Sequence, residues 1–477
     1  MTTPASPRPA ASWVDRHARW PVLGGVIMGA AHLHPTLAPL AWIGLGVFAW
    51  GLRRLEGRVN RALAIFGGLW ASVFLSQIWL CLTITQYMGP LVGSDEAPLW
   101  LSALAWVFAA VITASHRALP VIVAALVLWR APMRWWLPAA VLAGESLNGA
   151  LGFTMADLMH SQWAVPAMLR SVALIGVPAT GLLCAYAAVA VADALREGRR
   201  GLVAAVPVAL WLGLVPPTPA DDEALAGVTA IHLADFERRP SPAELPAEVD
   251  LVLWPEAAFR GAFRRWEGPQ DPPLPLDALA GWSGPQHIVN LRLRRPGQIQ
   301  NAIGVTDGEG QVTALRGKSS LVPWGERPYG GIDPLFSTDV AGTVPPMMRT
   351  AAGPVVPTIC YEVYERSLFI EGAALGGELL VNVANDGAYG PTALGVRQAI
   401  GVLALSAAET HRPAARASIS GQAALISSTG AVLAVSEPGT SGALVWTRPN
   451  PAAKSAASPA QVADRRLNPD NDGVTPP

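Results

Sequence analysis

The sequence predicts an α-helical transmembrane bundle of about seven spans followed by a layered α/β domain, and three observations carry that prediction. Across 477 residues only 14% are charged and 51% are hydrophobic. With a mean hydropathy of +0.33, the chain is too apolar to lie wholly in water. Residues 1–217 are almost continuously apolar, and 226–448 alternate strand-like runs with turns and helical stretches. The expected division is a multi-span membrane domain at 1–217, a globular α/β domain at 218–448, and a Pro/Ala/Asp-rich disordered tail at 449–477.

Within the membrane half, a pair of short spans covers 21–52, broken near His34-Pro35. Further apolar stretches cover about 62–87, 98–129, 135–149, 166–193 and 201–216. No signal-peptide apolar region occupies the first 20 residues, so the first span is expected to be retained. Trp20, Trp50, Trp79, Trp135 and Trp136 stand near the ends of these runs, as an interfacial aromatic belt would place them. Arg53, Arg54, Arg58 and Arg61 mark one basic loop, Arg130 and Arg134 a second, and Arg196, Arg199 and Arg200 a third. The loops between them, 89–97 with Asp95 and Glu96 and 150–165 with Asp157, carry no Arg. This alternation predicts an N-terminus inside and everything after residue 217 on the extracytoplasmic face of the membrane, which the resemblance given below implies is a bacterial cytoplasmic (inner) membrane. His116-Arg117, followed by Pro120, interrupts the pattern; one long kinked helix with that pair facing the bundle interior preserves it.

In the second half the strand candidates are Val228–Ala234, Asp250–Trp254, His287–Leu293, Val355–Cys360, Leu379–Ala384, Ala415–Ser420 and Ala423–Ser427, with a helix over about Leu394–Glu409. Continuous apolar strands interleaved with helices point to layered α/β packing. The net charge of −1 gives no reason to expect nucleic acid. Cys81 and Cys184 fall in apolar runs, which leaves Cys360 alone in the polar half and precludes a disulfide within it. The eight His are scattered without zinc spacing, and no metal or cofactor is assigned.

The chemistry is read from a lysine. Of 34 basic residues only Lys318 and Lys454 are Lys, so 34 − 2 = 32 are Arg. A chain that uses Arg wherever charge suffices has kept one compact ammonium in Gly317-Lys318-Ser319-Ser320-Leu321-Val322-Pro323-Trp324-Gly325-Glu326. Trp254-Pro255-Glu256 lies upstream and Ile359-Cys360-Tyr361-Glu362 downstream. Pro255 ends the first strand, and Cys360 ends another, so both groups can meet at one sheet edge. Carboxylate, amine and thiol in that order make a base, an oxyanion stabiliser and a nucleophile.

Trp-Pro-Glu, Lys-x-x-Leu-Val-Pro-x-Gly-Glu and Cys-Tyr-Glu in this order resemble the carbon–nitrogen hydrolase (nitrilase) superfamily. Joined to a multi-span N-terminal half, they resemble the apolipoprotein N-acyltransferase family within it. The resemblance extends to Glu145 before Gly152-Phe153, Asn301, Asn385-Asp386, Gln398, Glu409, Arg412-Pro413 and Arg416. It implies an αββα sandwich on a membrane bundle. It also implies acyl transfer from a phospholipid, through a thioester on Cys360, to the N-terminal amine of a diacylglyceryl-cysteine lipoprotein. Glu256 is then the base, Lys318 the oxyanion donor together with the Tyr361 backbone N–H, and Glu326 and Glu362 supporting carboxylates.

The sequence departs from the family in four places. Ser320 stands where a His is usual, Ala388-Tyr389 lacks the usual Trp, and Ala404 and Ser406 replace arginines. After Ala443–Trp446 no apolar run is long enough for a last span. Two other classes therefore compete: a membrane-tethered amidase of a secretion- or conjugation-associated kind, in which water replaces the amine, and a non-enzymatic membrane scaffold. Retention of Lys318 argues against the scaffold.

Overall fold

The computed structural model describes residues 17–89, 92–151, 154–197, 199–236, 239–245, 249–259, 263–265, 274–275, 279, 284–295, 298–328, 341–342, 346–390, 392–446 and 462–466. Gly152-Phe153 and Lys454 lie outside them. The first half is helical: α1 (Arg19–Ala30), α2 (Leu40–Leu52), α3 (Arg58–Ser76), α4 (Leu80–Met88), α5 (Leu99–Val127), α6 (Met133–Ala150), α7 (Pro166–Glu197) and α8 (Arg199–Leu214). Among the described residues four stretches are long and apolar enough to cross a membrane, Pro35–Leu52, Arg58–Ser76, Leu99–Val127 and Pro166–Leu195. These make the chain a membrane protein. The remaining helices fall short of that measure: α1 has 12 residues, α6 carries Arg134 and Glu145, and α8 is apolar only over Ala205–Leu214.

The break expected at His34-Pro35 is present as a 3-10 turn over Pro35–Leu37, where the His34 ring accepts the Thr36 N–H at 3.3 Å. α1 then folds back along α2 and α3, and glycines permit the approach. A Cβ on Gly25 would lie 1.8 Å from the Gly68 carbonyl oxygen, so only small residues let these backbones touch. α5 runs unbroken through Pro120 with Arg117 buried, as the alternation of basic loops required. Two of the basic loops meet at one end of the bundle, where the buried Asp193 carboxylate of α7 takes Arg53 and, at 3.1 Å, Arg134.

The second half contains β1 (Val228–Leu233), β2 (Leu251–Leu253), β3 (Phe263–Arg265), β4 (Leu274–Pro275), β5 (Gln286–Arg295), β6 (Gln298–Thr306), β7 (Gln311–Gly317) and β8 (Met348–Thr350). It continues with β9 (Gly353–Ile359), α9 (Arg366–Ala374), β10 (Leu379–Asn385), α10 (Ala393–Thr410), β11 (Ala414–Ile419), β12 (Ala424–Ile426), β13 (Val432–Val435), β14 (Gly442–Trp446) and β15 (Val462–Arg466). The main strand order is β4-β7-β6-β5-β2-β1-β11-β10-β9-β8. β1 and β11 pair only at their C-terminal ends, His232 with Ser418 and Leu233 with Ile419. Two half-sheets diverge from that seam and stack, with Val228, Leu251, Ile288 and Ile303 of one facing Val355, Val381, Ala415 and Leu425 of the other. Each Val, Leu or Ile among these contributes about 1.5–3 kcal/mol on burial.

Outside the second half-sheet lie α9 and α10, which pack Phe369, Ala399, Leu403 and Ala407 onto Val356, Leu380 and Ala414. Outside the first, Leu245, Phe259 and Leu279 cover Val252, Val289 and Leu291. The helix–sheet–sheet order is the layered α/β architecture the sequence predicted. One expectation is corrected. Within 449–477, assigned to a disordered tail, Val462–Arg466 forms a strand antiparallel to β14, pairing Val462 with Trp446 and Arg466 with Gly442. Composition hid it: a short strand needs only a free sheet edge to pair with, which the hydrophilic flanks do not reveal.

Candidate active site

β2 runs directly into Trp254-Pro255-Glu256. Trp254 is buried and its indole N–H donates to His287 Nδ1 at 3.0 Å. Burial holds the His287 ring at about 4, well below its ordinary value, so that nitrogen stays neutral and accepts. Ala257 then turns with φ +61° and donates its N–H to Asn290 Oδ1 at 3.0 Å. The turn aims Glu256 inward, 7% exposed. One carboxylate oxygen accepts from Asn301 Nδ2 at 2.8 Å and the other from the Asn385 N–H at 3.1 Å. Asn290 fixes the Asn301 amide in turn, donating to its Oδ1 at 2.6 Å.

Lys318 follows the end of β7 and is wholly buried. Its backbone N–H donates to the Asn301 carbonyl at 2.7 Å, so the residue that orients Glu256 also anchors the lysine. The ammonium donates to Glu326 Oε1 at 2.7 Å. Glu326 is held by the Val322 N–H at 3.0 Å, across a turn in which Trp324 has φ +60°. Burial works against the charged amine, but Glu326, the Cys360 sulfur and Glu256 outweigh it and hold the ammonium above its ordinary range.

Cys360 takes the first position after β9 with φ +51°. Non-glycine residues in this left-handed region cost about 1–3 kcal/mol and cluster at functional sites. Burial, then the nearby Glu256 charge, push the thiol well above its ordinary value, and Lys318 partly opposes them. The resting group is therefore a thiol, with a carboxylate and an ammonium close enough to act on its charge. The Cys360 carbonyl accepts from Asn382 Nδ2 at 3.3 Å. The other cysteines belong to the bundle: Cys184 lines an apolar cavity of about 620 Å³ between α2, α7 and α8.

The structure thus brings together Glu256, Lys318 and Cys360, three groups far apart in the chain. It separates the two supporting carboxylates, since Glu326 touches Lys318 whereas Glu362 does not. Glu362, wholly buried, receives both guanidinium N–H groups of Arg316 at 2.7 and 2.9 Å, the Ser319 N–H at 2.6 Å, the Ser319 hydroxyl at 2.7 Å and the Ile359 N–H at 2.9 Å. It ties the lysine loop to the end of the strand that leads into Cys360. Arg316 and Ser319 carry no local sequence signal for this, because their partner lies more than 40 residues away.

The membrane half reaches the same place. Thr154 donates its N–H and hydroxyl to Tyr361 Oη, both at 3.3 Å. Glu365 accepts from Ser320, the residue in the usual histidine position, at 3.0 Å. Tyr389 packs edge-on against Trp79, ring centroids 4.9 Å apart. Gln398 donates to the Ser76 carbonyl at 2.7 Å, and Glu409 caps the kink of α7 at Gly176 by accepting the Val177 N–H at 2.7 Å. Among the described residues no group of three or more His, Cys, Asp or Glu could hold a metal ion.

No protein-family model matches the chain. Curated relatives do. An apolipoprotein N-acyltransferase of Gloeobacter violaceus is 27% identical over 89% of this chain and 77% of its own. One from a Nostoc species is 24% identical over 83% and 76%, and one from Allorhizobium ampelinum is 28% identical over 59% and 60%. Among solved structures, a Nesterenkonia amidase of the nitrilase superfamily is 18% identical, TM-score 0.34, over 46% of this chain and 89% of that one. A Saccharomyces cerevisiae member of that superfamily is 13% identical, TM-score 0.35, over 45% and 87%. The chain resembles apolipoprotein N-acyltransferases over most of its length, membrane half included.

Proposed function

We propose that the chain is a membrane-bound N-acyltransferase that moves a fatty acyl group from a phospholipid, through a thioester on Cys360, to the N-terminal amine of a diacylglyceryl-cysteine lipoprotein. The observation that carries this reading is the convergence of one carboxylate, one ammonium and one thiol, in a chain similar to acyltransferases of that name across both halves. The site fits the chemistry step by step. Glu256 takes the Cys360 proton as sulfur attacks the ester carbonyl, which suits a resting thiol whose pKa lies above its ordinary value. The tetrahedral oxyanion forms beside the Lys318 ammonium and the Tyr361 backbone N–H. When it collapses, the ester C–O bond breaks and the leaving alkoxide takes the proton from Glu256, giving lysophospholipid. Glu256 then accepts a proton from the incoming amine, nitrogen replaces sulfur on the carbonyl, and Glu256 passes that proton to the departing sulfur to regenerate the thiol. Asn301 and the Asn385 N–H keep the carboxylate aimed throughout.

In this reading residues 1–217 form the membrane domain of an inner-membrane protein, 218–448 the catalytic domain, and the catalytic face is extracytoplasmic. Incubation with phospholipid should add one acyl mass at Cys360, which a diacylglyceryl-cysteine peptide then removes as an amide. Discharge by water at the same rate with and without the peptide would make the protein an amidase-type hydrolase instead. An export-dependent reporter fused after residue 448 should be active; activity of a cytoplasm-only reporter there would reverse the orientation.

A further inference from the structure

The His116-Arg117 pair, which the loop pattern singled out, is not used by the chemistry above. Arg117 lies within α5, 6% exposed, in a helix otherwise fit to span a membrane. A guanidinium there is expensive and normally serves something specific. Its Nη1 donates to the Ala156 carbonyl at 2.8 Å, and its Nη2 to the Met155 carbonyl at 2.6 Å and Asp157 Oδ1 at 2.9 Å. These acceptors bracket Ala156, whose φ of +59° is unfavourable for a residue with a side chain. From α6, Glu145 accepts the next free amide, Leu158 N–H, at 2.8 Å. Two side chains from two helices, Arg117 and Glu145, therefore hold one bent segment, 155–158.

The residue just before that segment is Thr154, which grips Tyr361 Oη with its N–H and its hydroxyl. Tyr361 directly follows the nucleophile. We propose that Arg117 is a positioning residue: through the 155–158 bend and Thr154 it fixes the Tyr361 ring, and so aims the backbone N–H beside Cys360. The idea rests on the acyltransferase reading for the role of that N–H. A purely structural arginine needs only Asp157; two of the three bonds here go instead to carbonyls flanking a strained residue. Three diverging acceptors suit a planar fork and not a single ammonium, so lysine cannot substitute.

The test is single-turnover acylation of Cys360 by phospholipid in mixed micelles, normalised to the Cys360 sites that react with iodoacetamide. Arg117→Met and Thr154→Val should each slow acylation per reactive site by about tenfold, and the double variant should be no slower than the slower single, since contacts in one chain of action are not additive. Arg117→Lys should stay slow. Multiplied losses in the double variant, or a parental rate per reactive site in Arg117→Met, would overturn the proposal. If Arg117→Met does not fold, Thr154→Val is compared in the Tyr361→Phe background, where its effect should vanish; an undiminished effect there is equally damaging. A parent that reacts with iodoacetamide but gains no acyl mass refutes the acyltransferase reading alone. The same non-additivity is then sought in the alkylation rates of Cys360, and additive rates would reject the positioning role.

Discussion

Arg316 and Lys318 leave the end of β7 two residues apart, both without exposed surface, and each faces a glutamate. Beside Arg316 the carboxylate is fully engaged: Glu362 meets both arms of the guanidinium and also takes Ser319 and Ile359, although Arg316 Nε has no hydrogen-bond partner among the described residues. Lys318 is not so engaged. Among the described residues its three-proton ammonium has one hydrogen-bond acceptor, Glu326, while Glu256 acts on it only through charge. A carboxylate held from so many sides is a fixture, because any movement leaves a buried charge uncompensated. An unsaturated ammonium can turn toward new negative charge. On the proposed mechanism the chain's choice of residue follows that division, with arginine where a carboxylate must be gripped and its rare lysine where a charge has yet to form.

The largest effect should come from the nucleophile. Cys360→Ser is expected to abolish the acyl adduct, while Cys81→Ser and Cys184→Ser leave it intact by mass. Next comes the test of the comparison itself. Lys318→Arg conserves charge in a chain that prefers arginine, so a gripping role predicts little change. An oxyanion role predicts a loss on the order of 3 kcal/mol, roughly a hundredfold in single-turnover acylation, with the protein still folded. A rate within a few-fold of the parent would erase the distinction between the two sites.

At Arg316 the pattern should invert. Arg316→Met leaves Glu362 buried and unpaired, which typically costs about 3–5 kcal/mol of stability. The thermal midpoint in detergent should fall, while the fraction that remains folded still acylates Cys360 at a rate nearer the parent than that of Lys318→Arg. A variant with parental stability would show that the bidentate pair holds nothing together.

The three residues that the structure brings together were legible because each carries a local mark: a Trp-Pro before Glu256, lysine scarcity around Lys318, and a lone polar-half thiol at Cys360. The long buried strands β1, β9, β10 and β11 were legible for a related reason, since continuous apolar runs of that length fit little else. β6 and β7 escaped notice, their Gln-Ile-Gln-Asn and Val-Thr-Ala-Leu-Arg stretches being too polar and mixed to stand out. Their order depends on pairing with each other and with β5. What joins the site together was also hidden. Arg316 meets Glu362 across 46 residues and Thr154 meets Tyr361 across 207, and no spacing rule in the sequence spans such distances. Glu362, expected only as a supporting carboxylate, grips Arg316 and does not touch Lys318.

The smallest predicted effect separates the two pairs by pH. At Glu362 burial favours the neutral acid, but Arg316, the Ser319 N–H and the Ser319 hydroxyl outweigh it and hold the carboxyl below its ordinary value. A depressed acid binds its proton more readily in the unfolded chain. The pair's contribution to stability is therefore fully present above the unfolded value of about 4.3, and it is lost as pH falls through the lower folded one. Between about pH 5 and pH 3 the thermal midpoint of the parent should decline more steeply than that of Glu362→Gln, which has no proton to take up at this position. Glu362→Gln should start lower at neutral pH, and the two curves should converge as acid is added. Parallel curves would mean that Glu362 is already protonated at neutral pH, so that Arg316 and Ser319 grip a neutral acid and the two basic residues differ less than their contacts suggest.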